Sequence, residues 1–566
     1  MITADELEAR VREGKGLEGE MLEGLDLAGR DLTGAKLART MLAHVSFAGA
    51  TLAGSDLKGA VLRACTLAGA SLDGADLSSA RVLSVDATGA TFRGAKLRDA
   101  SFLQAKLERA DFTGADLSRA TLVQSSSACI VLRKANLSAA RLDQALLPGA
   151  DLAEATLHGT TFAGATLTRA ILRGADVKKV LFAKADLRQA DFAGATTEQA
   201  VFTGADLRGA ILPKALAGAL FDEARLRSDD GPEGSPPAPR VDLAGADLSH
   251  ASLGGVDLRG ASLRGARIEN GSLQGCDLRG ADLTGATLAQ CLLIGASLRG
   301  VNLAGMTLTG LLLKDADLTG ADLSGAVLER VFLDGASLER ANLTHAQFSQ
   351  CSLRGARLDD AVLAKTVFRR SVLSEVDLSK LRLRGLSMTL CVFMGSGLAG
   401  MDLEGCDFSD SNFDSADLRQ ARLRGSTLTR AKFSRANLDG IDAEGVQAKG
   451  AFFADASLRR ARLAGAKLRN ATFTRARMEH ADLSRCDLRE SAMADADAPR
   501  ASFRGARLGY ADLSHANLED ADLREADVTK TTLHAVRDRG TLGGPFPAAE
   551  GTNQARLEAE QWTHPG

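Results

Sequence analysis

Cysteine, histidine and serine are the residue types in this chain that could supply nucleophiles, general bases or metal ligands. The 566-residue chain contains eight Cys and eight His. A zinc site usually shows Cys or His at short spacings such as C-x-x-C, and a disulfide needs two cysteines that can approach each other. No C-x-x-C and no H-x-x-x-H occurs in the sequence. Metals, disulfides and other cofactors are therefore not expected.

Most of the cysteines share one position of a short repeat. All but Cys129 stand two residues before a large apolar residue, where most repeats have Ala, and they are expected to be small buried hydrophobes. These are Cys65, Cys276, Cys291, Cys351, Cys391, Cys406 and Cys486. The histidines, at positions 44, 158, 250, 345, 480, 515, 534 and 564, are scattered over outward sites and the tail. Serines in "GASL" units do not match the G-x-S-x-G nucleophile motif. No catalytic residue is assigned, and an enzyme is not expected.

The repeat that organises these residues has a period of five. Large apolar centres run without a break in frame from Leu22 to Leu212 and from Leu243 to Leu533, which is 39 and 59 pentapeptides, and none of the centres is charged. A period of five fits neither a helix nor a strand. It indicates a coil with flat sides, in which the central Leu or Phe and the Ala two residues before it point inward. The other three positions carry polar residues and face water.

Tandem A-(D/N)-L-x-x units of this kind resemble the pentapeptide-repeat family. The resemblance implies an all-β fold, a right-handed quadrilateral β-helix (solenoid) with four pentapeptides per coil, and about 25 coils for this chain. The Phe spacing supports four sides independently, because a centre on a four-sided coil returns to the same side after twenty residues. The predicted inward columns are Phe393, Phe413, Phe433, Phe453, Phe473 and Met493; Phe348, Phe368, Met388 and Phe408; and Phe102, Phe162, Phe182 and Phe202.

The chain divides into five ranges. Residues 1–16 predict an N-terminal capping helix, because Thr3 and Glu6 form a capping-box pattern and Gly14 follows the last apolar residue. Residues 17–226 and 241–533 are two β-helix segments, joined by a Pro/Gly-rich linker or loop at 227–240. The Pro- and Gly-rich composition of 227–240 slightly favours two stacked or hinged segments over one continuous rod. Residues 534–566 form a tail that is either disordered or a cap.

Charge limits the functions that the chain can have. The net charge is −3 with 25% charged residues, so a nucleic-acid partner is not expected. The N-terminus lacks an apolar signal region and no long apolar run occurs, which predicts a cytoplasmic protein with no membrane span. Some members of the family protect DNA gyrase by presenting a strongly negative rod. Residues 22–226 carry 24 Lys and Arg against 21 Asp and Glu, which disfavours such mimicry here.

The opening stretch "TADELEARVREGKGLEGEMLEGLDLAGRDLTGA" is similar to the starts of bacterial pentapeptide-repeat proteins associated with type VI secretion. This resemblance implies a non-enzymatic scaffold or adaptor that binds protein partners such as secretion effectors or spike components. A DNA-mimicking gyrase modulator is the alternative, and a homodimer through an uncapped coil end is open. Three arginines at twenty-residue spacing could form a compensated ladder or an anion-binding strip, and two tail aromatics could dock a partner. The candidates are Arg259, Arg279, Arg299, Phe546 and Trp562.

Overall fold

The computed structural model describes residues 2–227 and 240–561, in two compact units, Met1–Ser297 and Leu298–Gly566. Both units are parallel β-solenoids, which confirms the predicted fold class, although the exact coil count differs slightly from the predicted figure. The predicted linker falls almost wholly outside the described residues, as do Trp562 and His564. Among the helices of the described ranges, none is long and apolar enough to span a membrane.

Four pentapeptides make one coil in the first unit. Residues twenty apart form parallel bridges on each of four sides, for example Asp26 with Ser46 and Asp31 with Thr51. One side is regular enough to form strands in the order β1-β2-β3-β4-β5. Their bounds are Met21–Glu23, Met41–Ala43, Val61–Arg63, Arg81–Leu83 and Ser101–Leu103. Further along this unit, β6 (Arg267–Glu269) pairs in parallel with β7 (Thr287–Ala289).

Each corner of the coil needs a left-handed residue two positions after the inward centre. At the corner that follows Leu27, Gly29 has φ 67° and the Arg30 N–H donates to the Leu27 carbonyl at 3.2 Å, which closes a tight turn. Glycine adopts this conformation without a steric penalty, and this explains why it recurs at the corners. Other residues also occupy corners, such as Ala64 at φ 49°. The inward centre and the small residue two before it are buried at nearly every repeat.

A helix covers the start of the first unit. Helix α1 spans Ala4–Arg12, and the Thr3 side chain and Glu6 form the predicted capping box. Leu7 of this helix is fully buried. Arg30 stands where other repeats place a small inward residue, and its guanidinium lies 2.8 Å from both Asp5 and Glu8 of α1. Arg30, which departs from the repeat pattern, therefore holds α1 against the first coils through two ion pairs.

The five-residue frame shifts by one position within the first unit. After Leu212, Pro213 and Lys214 the next buried centre is Leu216, so Val201 pairs with Leu220. On the far side of the linker the ladder resumes in register, because Leu220 pairs with Ser252 and the Phe221 N–H donates to the Ser252 carbonyl at 2.6 Å. Residues before and after the linker therefore stack directly on each other.

The second unit repeats the same architecture and ends in a short helix. Its strands are β8 (Thr307–Thr309), β9 (Val327–Glu329), β10 (Gln347–Ser349), β11 (Val367–Arg369) and β12 (Ser387–Thr389), each paired in parallel with the next. Isolated bridges continue the coils to the pair Thr532 and Glu550. The tail then forms helix α2, Gln554–Gln561.

Candidate interaction surface

The predicted aromatic columns lie inside the coils. Phe393, Phe413, Phe433, Phe453 and Phe473 stack in one column of the second unit with ring centroids 4.7, 4.9, 5.2 and 4.8 Å apart. Their interplanar angles are 8° or less, and Met493 is buried as well. These side chains fill the solenoid, so a partner on the outer surface cannot contact them.

The other columns are also internal. Phe348 stacks on Phe368 at 4.7 Å, and Met388 and Phe408 are buried. In the first unit, Phe162, Phe182 and Phe202 stack at 5.2 Å, and the shifted frame places Phe221 on Phe202 at 4.8 Å. Phe102 meets the stacked pair of Phe92 and Phe112 edge to face.

The inward cysteines are buried, and burial raises the pKa of their thiols. Burial raises the pKa of the Cys276 thiol to about 12 and that of Cys351 to about 11, so neither forms the reactive thiolate at neutral pH. Cys129 is the exposed cysteine, and its backbone lies in the left-handed corner conformation at φ 54°. Burial therefore keeps Cys276 and Cys351 in the unreactive thiol form.

A cavity opens in the first unit where the frame shifts, although the sequence predicts filled coils. It has a volume of about 440 Å³ and is lined by apolar side chains that include Ile211, Pro213 and Leu226. The charged groups Lys214 and Asp242 lie on its wall, 3.6 Å apart. No Cys, His, Ser or Thr is present among the described residues of its lining, so those residues offer no thiol, hydroxyl or imidazole group.

The three arginine candidates are held by carboxylates. In the first unit, Arg259 and Arg279 each form an ion pair with the aspartate two residues before them. The guanidinium-to-carboxylate distances are 2.7 and 2.5 Å. In the second unit, Arg299 lies 3.2 Å from Asp317. Each cation is locally compensated, and these contacts favour a structural ladder over an anion-binding strip.

One side of the second unit carries a ladder of ion pairs that alternates in sign from coil to coil. Arg422 lies 2.6 Å from Asp402 on the preceding coil, and Arg424 lies 2.7 Å from Asp442 on the following coil. Exposed pairs of this kind add little stability individually, but their alternation leaves no field of one sign. The successive rows are Arg384; Asp402 and Glu404; Arg422 and Arg424; Asp442 and Glu444; and Arg462.

A different side of the second unit presents apolar residues to solvent. Leu312 pairs with Phe332, Phe332 with Ser352, Ser352 with Val372, and Val372 with Val392 in one parallel ladder of outward side chains. We call these five residues the apolar ladder. Phe332 is 46% exposed, which is a large value for an aromatic side chain. The other four residues are half-buried. At about 4.8 Å per coil the apolar ladder is about 19 Å long.

Neighbouring positions widen this surface. Val327 and Val367, on the adjacent side of the same coils, are exposed, and so are Leu390 and Met394 at the corners beside Val392. Sequence reasoning missed the apolar ladder because it treated the outward positions as uniformly polar. The signal was present, since apolar residues recur at twenty-residue spacing one position before the inward centres Leu313, Leu333, Leu373 and Phe393.

Of the two tail aromatics, Phe546 lies in the described part of the chain. Phe546 is half-buried and lines a cavity of about 440 Å³ near the last coil with Leu518, Leu533 and Val536. Trp562 lies outside the described residues. The tail also brings Glu560 of α2 to His515 and His534, a grouping that no repeat pattern could predict because Glu560 lies beyond the repeats.

Comparisons with known proteins agree with this architecture. The model of the family described as pentapeptide repeats (8 copies) matches in a series of stretches, many of them overlapping, between residues 22 and 216 and between residues 242 and 537. No curated protein matches the chain. A solved pentapeptide repeat protein from the thylakoid lumen of Arabidopsis thaliana is 35% identical with TM-score 0.17, and the match covers 17% of this chain and 66% of that one.

Two further solved structures are similar in parts. HetL, a pentapeptide repeat protein involved in heterocyst differentiation regulation in the cyanobacterium Nostoc, is 28% identical over 52% of this chain and 98% of its own, with TM-score 0.15. QnrB1, a plasmid-mediated fluoroquinolone resistance protein, is 21% identical over 48% of this chain and 91% of its own, with TM-score 0.17. The family-model matches, the five-residue frame and the four-sided ladders together show that this chain belongs to the pentapeptide repeat family.

Proposed function

We propose that this protein is a non-enzymatic scaffold that binds a protein partner through the apolar ladder of its second unit. The observation that carries the proposal is the exposure of Phe332, which is one of the four apolar residues in the apolar ladder. Contiguous apolar surface on a soluble protein is typical of a binding site, and aromatic residues are enriched at the centres of interfaces.

The rest of the second unit's surface supports this choice by contrast. Its ion-pair ladder satisfies charged groups within the chain itself, so those groups gain little by meeting a partner. The apolar side chains have no comparable compensation, and covering them would remove them from water at about 25 cal/mol per Å². A partner with a matching apolar face gains most at this ladder.

An adaptor role in type VI secretion is the specific form of the proposal. Its support is the N-terminal stretch, in which α1 leads into the first coils and is anchored through Arg30. The partner would then be a secretion effector or a spike component.

A gyrase modulator that mimics DNA is the alternative, and the charge arrangement disfavours it. A DNA mimic has to present dense negative charge to a site that binds phosphates. Here the carboxylates Asp402 and Asp442 are each contacted by arginines of adjacent coils. This side of the second unit therefore lacks the unbroken acidic character that mimicry requires.

Co-purification from cells that produce the protein tests the proposal. Full-length tagged protein should retain a specific protein that Phe332→Asp loses. The matched control is Phe452→Asp, because Phe452 is similarly exposed (43%) but lies further along the same column of bridges, beyond the apolar ladder and between Lys432 and Thr472. Retention of a spike or effector protein supports the adaptor, whereas inhibition of DNA supercoiling at micromolar protein supports the gyrase alternative. Equal capture by both variants would contradict the assigned surface.

A further inference from the structure

Two histidines and one glutamate meet near the end of the second unit. His515 Nε2 and His534 Nε2 each lie 3.1 Å from Glu560 Oε2, and the three ligand-type atoms lie within 4.8 Å of one another. The histidines belong to neighbouring coils, where the His515 N–H donates to the His534 carbonyl at 2.8 Å. Their relative position is thus fixed by the solenoid backbone, and α2 supplies the carboxylate.

Surrounding contacts hold the side chains of this cluster in place. The His534 side chain is 1% exposed, and its Nδ1 accepts a hydrogen bond from the Asn553 backbone N–H at 3.1 Å. Arg556 Nε donates to Glu560 Oε1 at 2.7 Å, which leaves Oε2 directed at both imidazoles. The two rings are nearly perpendicular, with centroids 5.2 Å apart. Each of the three side chains therefore offers one potential ligand atom within 4.8 Å of the other two.

We propose that His515, His534 and Glu560 bind one divalent transition metal of the zinc class, which fastens α2 to the last coils. Two imidazole nitrogens and one carboxylate oxygen form a ligand set that zinc uses when a fourth position is left for water. Nitrogen ligands favour zinc, nickel or copper over calcium and magnesium. The 3.1 Å separations from Glu560 Oε2 are slightly shorter than the ~3.4 Å between two ligands that each lie about 2.1 Å from a tetrahedral zinc ion.

Metal binding requires a change of tautomer at His534. Nδ1 of His534 accepts a hydrogen bond from the Asn553 backbone N–H. In the neutral ring the proton is therefore on Nε2, which donates a hydrogen bond to Glu560. A metal at Nε2 displaces this proton to Nδ1, which then opposes the Asn553 N–H. The Asn553 side chain caps α2 by accepting from the Arg556 N–H at 3.0 Å, so the start of the helix has to adjust. Binding is therefore coupled to the position of α2.

Zinc titration of the full-length protein by calorimetry tests the proposal. We expect one equivalent of Zn²⁺ to bind, and Co²⁺ in its place to give the visible absorption of a tetrahedral site. His515→Ala and Glu560→Gln should each weaken binding by more than the about 10- to 100-fold that is typical of losing an outer-shell partner. Hydrogen exchange within α2 should slow when Zn²⁺ is added to the wild-type protein and not when it is added to Glu560→Gln.

His480→Ala is the matched control. His480 also lies beside a glutamate, 3.8 Å from Glu479, but this pair contains one imidazole rather than two. This variant should bind zinc as the wild-type protein does. Glu560→Gln removes the anionic ligand but keeps one oxygen that can accept from the histidines, so it changes the helix contact less than Glu560→Ala would. Absence of a bound equivalent in the wild-type protein, undiminished binding by Glu560→Gln, or equal loss in His480→Ala would overturn the proposal. None of these outcomes bears on the apolar ladder.

Discussion

Phe452 and Phe453 are adjacent phenylalanines that face opposite sides of one coil wall, which makes them a matched pair for testing the inward frame. Phe453 is buried between Phe433 at 5.2 Å and Phe473 at 4.8 Å, while Phe452 is 43% exposed. Replacing each by Ala deletes the same atoms from neighbouring backbone positions. The two substitutions should therefore differ only through the surroundings of the ring.

The expected magnitudes follow from those surroundings. Phe453→Ala removes a ring that contacts another ring on each face, and the coils on either side are held by backbone hydrogen bonds, such as Phe453 N–H to the Thr472 carbonyl at 2.6 Å. The site cannot collapse to fill the space, so the free energy of local opening should fall by about 4 kcal/mol, within the about 3–5 kcal/mol usual for buried Phe→Ala. Phe452→Ala should cost about 1 kcal/mol or less.

Hydrogen exchange is the suitable assay, because a solenoid opens locally and a melting temperature would average over many coils. Amides in the coils around Phe453 should exchange at least about 100-fold faster in Phe453→Ala, and those of distant coils should be unchanged. Phe452→Ala should leave these rates nearly as in the wild-type protein. If the two variants opened the coil equally, or if Phe452→Ala were the more damaging, the assignment of inward and outward positions would be refuted.

The buried thiols, one glycine corner and one surface ion pair can each be tested separately. In the native protein a thiol reagent should label Cys129 alone, and all eight cysteines only after denaturation; rapid labelling of a second thiol would show that an inward cysteine is accessible. Gly69→Ala should lower the free energy of unfolding by about 1–2 kcal/mol in denaturant titrations, because φ is 65° while the space for a Cβ is open; an unchanged midpoint would count against corner strain. The hydrogen bond from Arg524 lowers the pKa of Asp522 to about 2, so its contribution to stability is present above the unfolded pKa of about 3.9 and is lost as pH falls towards 2. Asp522→Asn should flatten this acid loss in circular dichroism titrations, and an identical acid profile would contradict the role of the pair.

The inside of the solenoid could be predicted from the sequence because a single spacing determines it. Once Leu and Phe recur every five residues, burial requires them to face the same interior, and a return every twenty residues places Phe413 on Phe393. The capping box of α1 was likewise predictable from Thr3 and Glu6, which are local in sequence. Local and periodic signals therefore yielded most of the fold.

Features that depend on contacts between non-repeating segments were not predictable. Arg30 reads as an irregularity in the repeat, and only the placement of α1 shows that it binds Asp5 and Glu8. Glu560 approaches His534 because the tail folds back on the last coils. The apolar ladder lies between these cases, since its spacing is visible in the sequence but its significance depends on which side chains remain exposed.

Photocrosslinking from the apolar ladder would test the central claim of a protein-binding scaffold most directly. Ser352 lies between Phe332 and Val372, so a photoreactive amino acid placed there samples the ladder while keeping its apolar side chains. Thr472, beside Phe452 and also half-buried, is the matched control position. In cells that produce the protein, we predict one dominant crosslinked protein from position 352 that is absent from position 472 and is lost with Phe332→Asp. Identical products from both positions, or a product from position 352 that survives Phe332→Asp, would contradict the account.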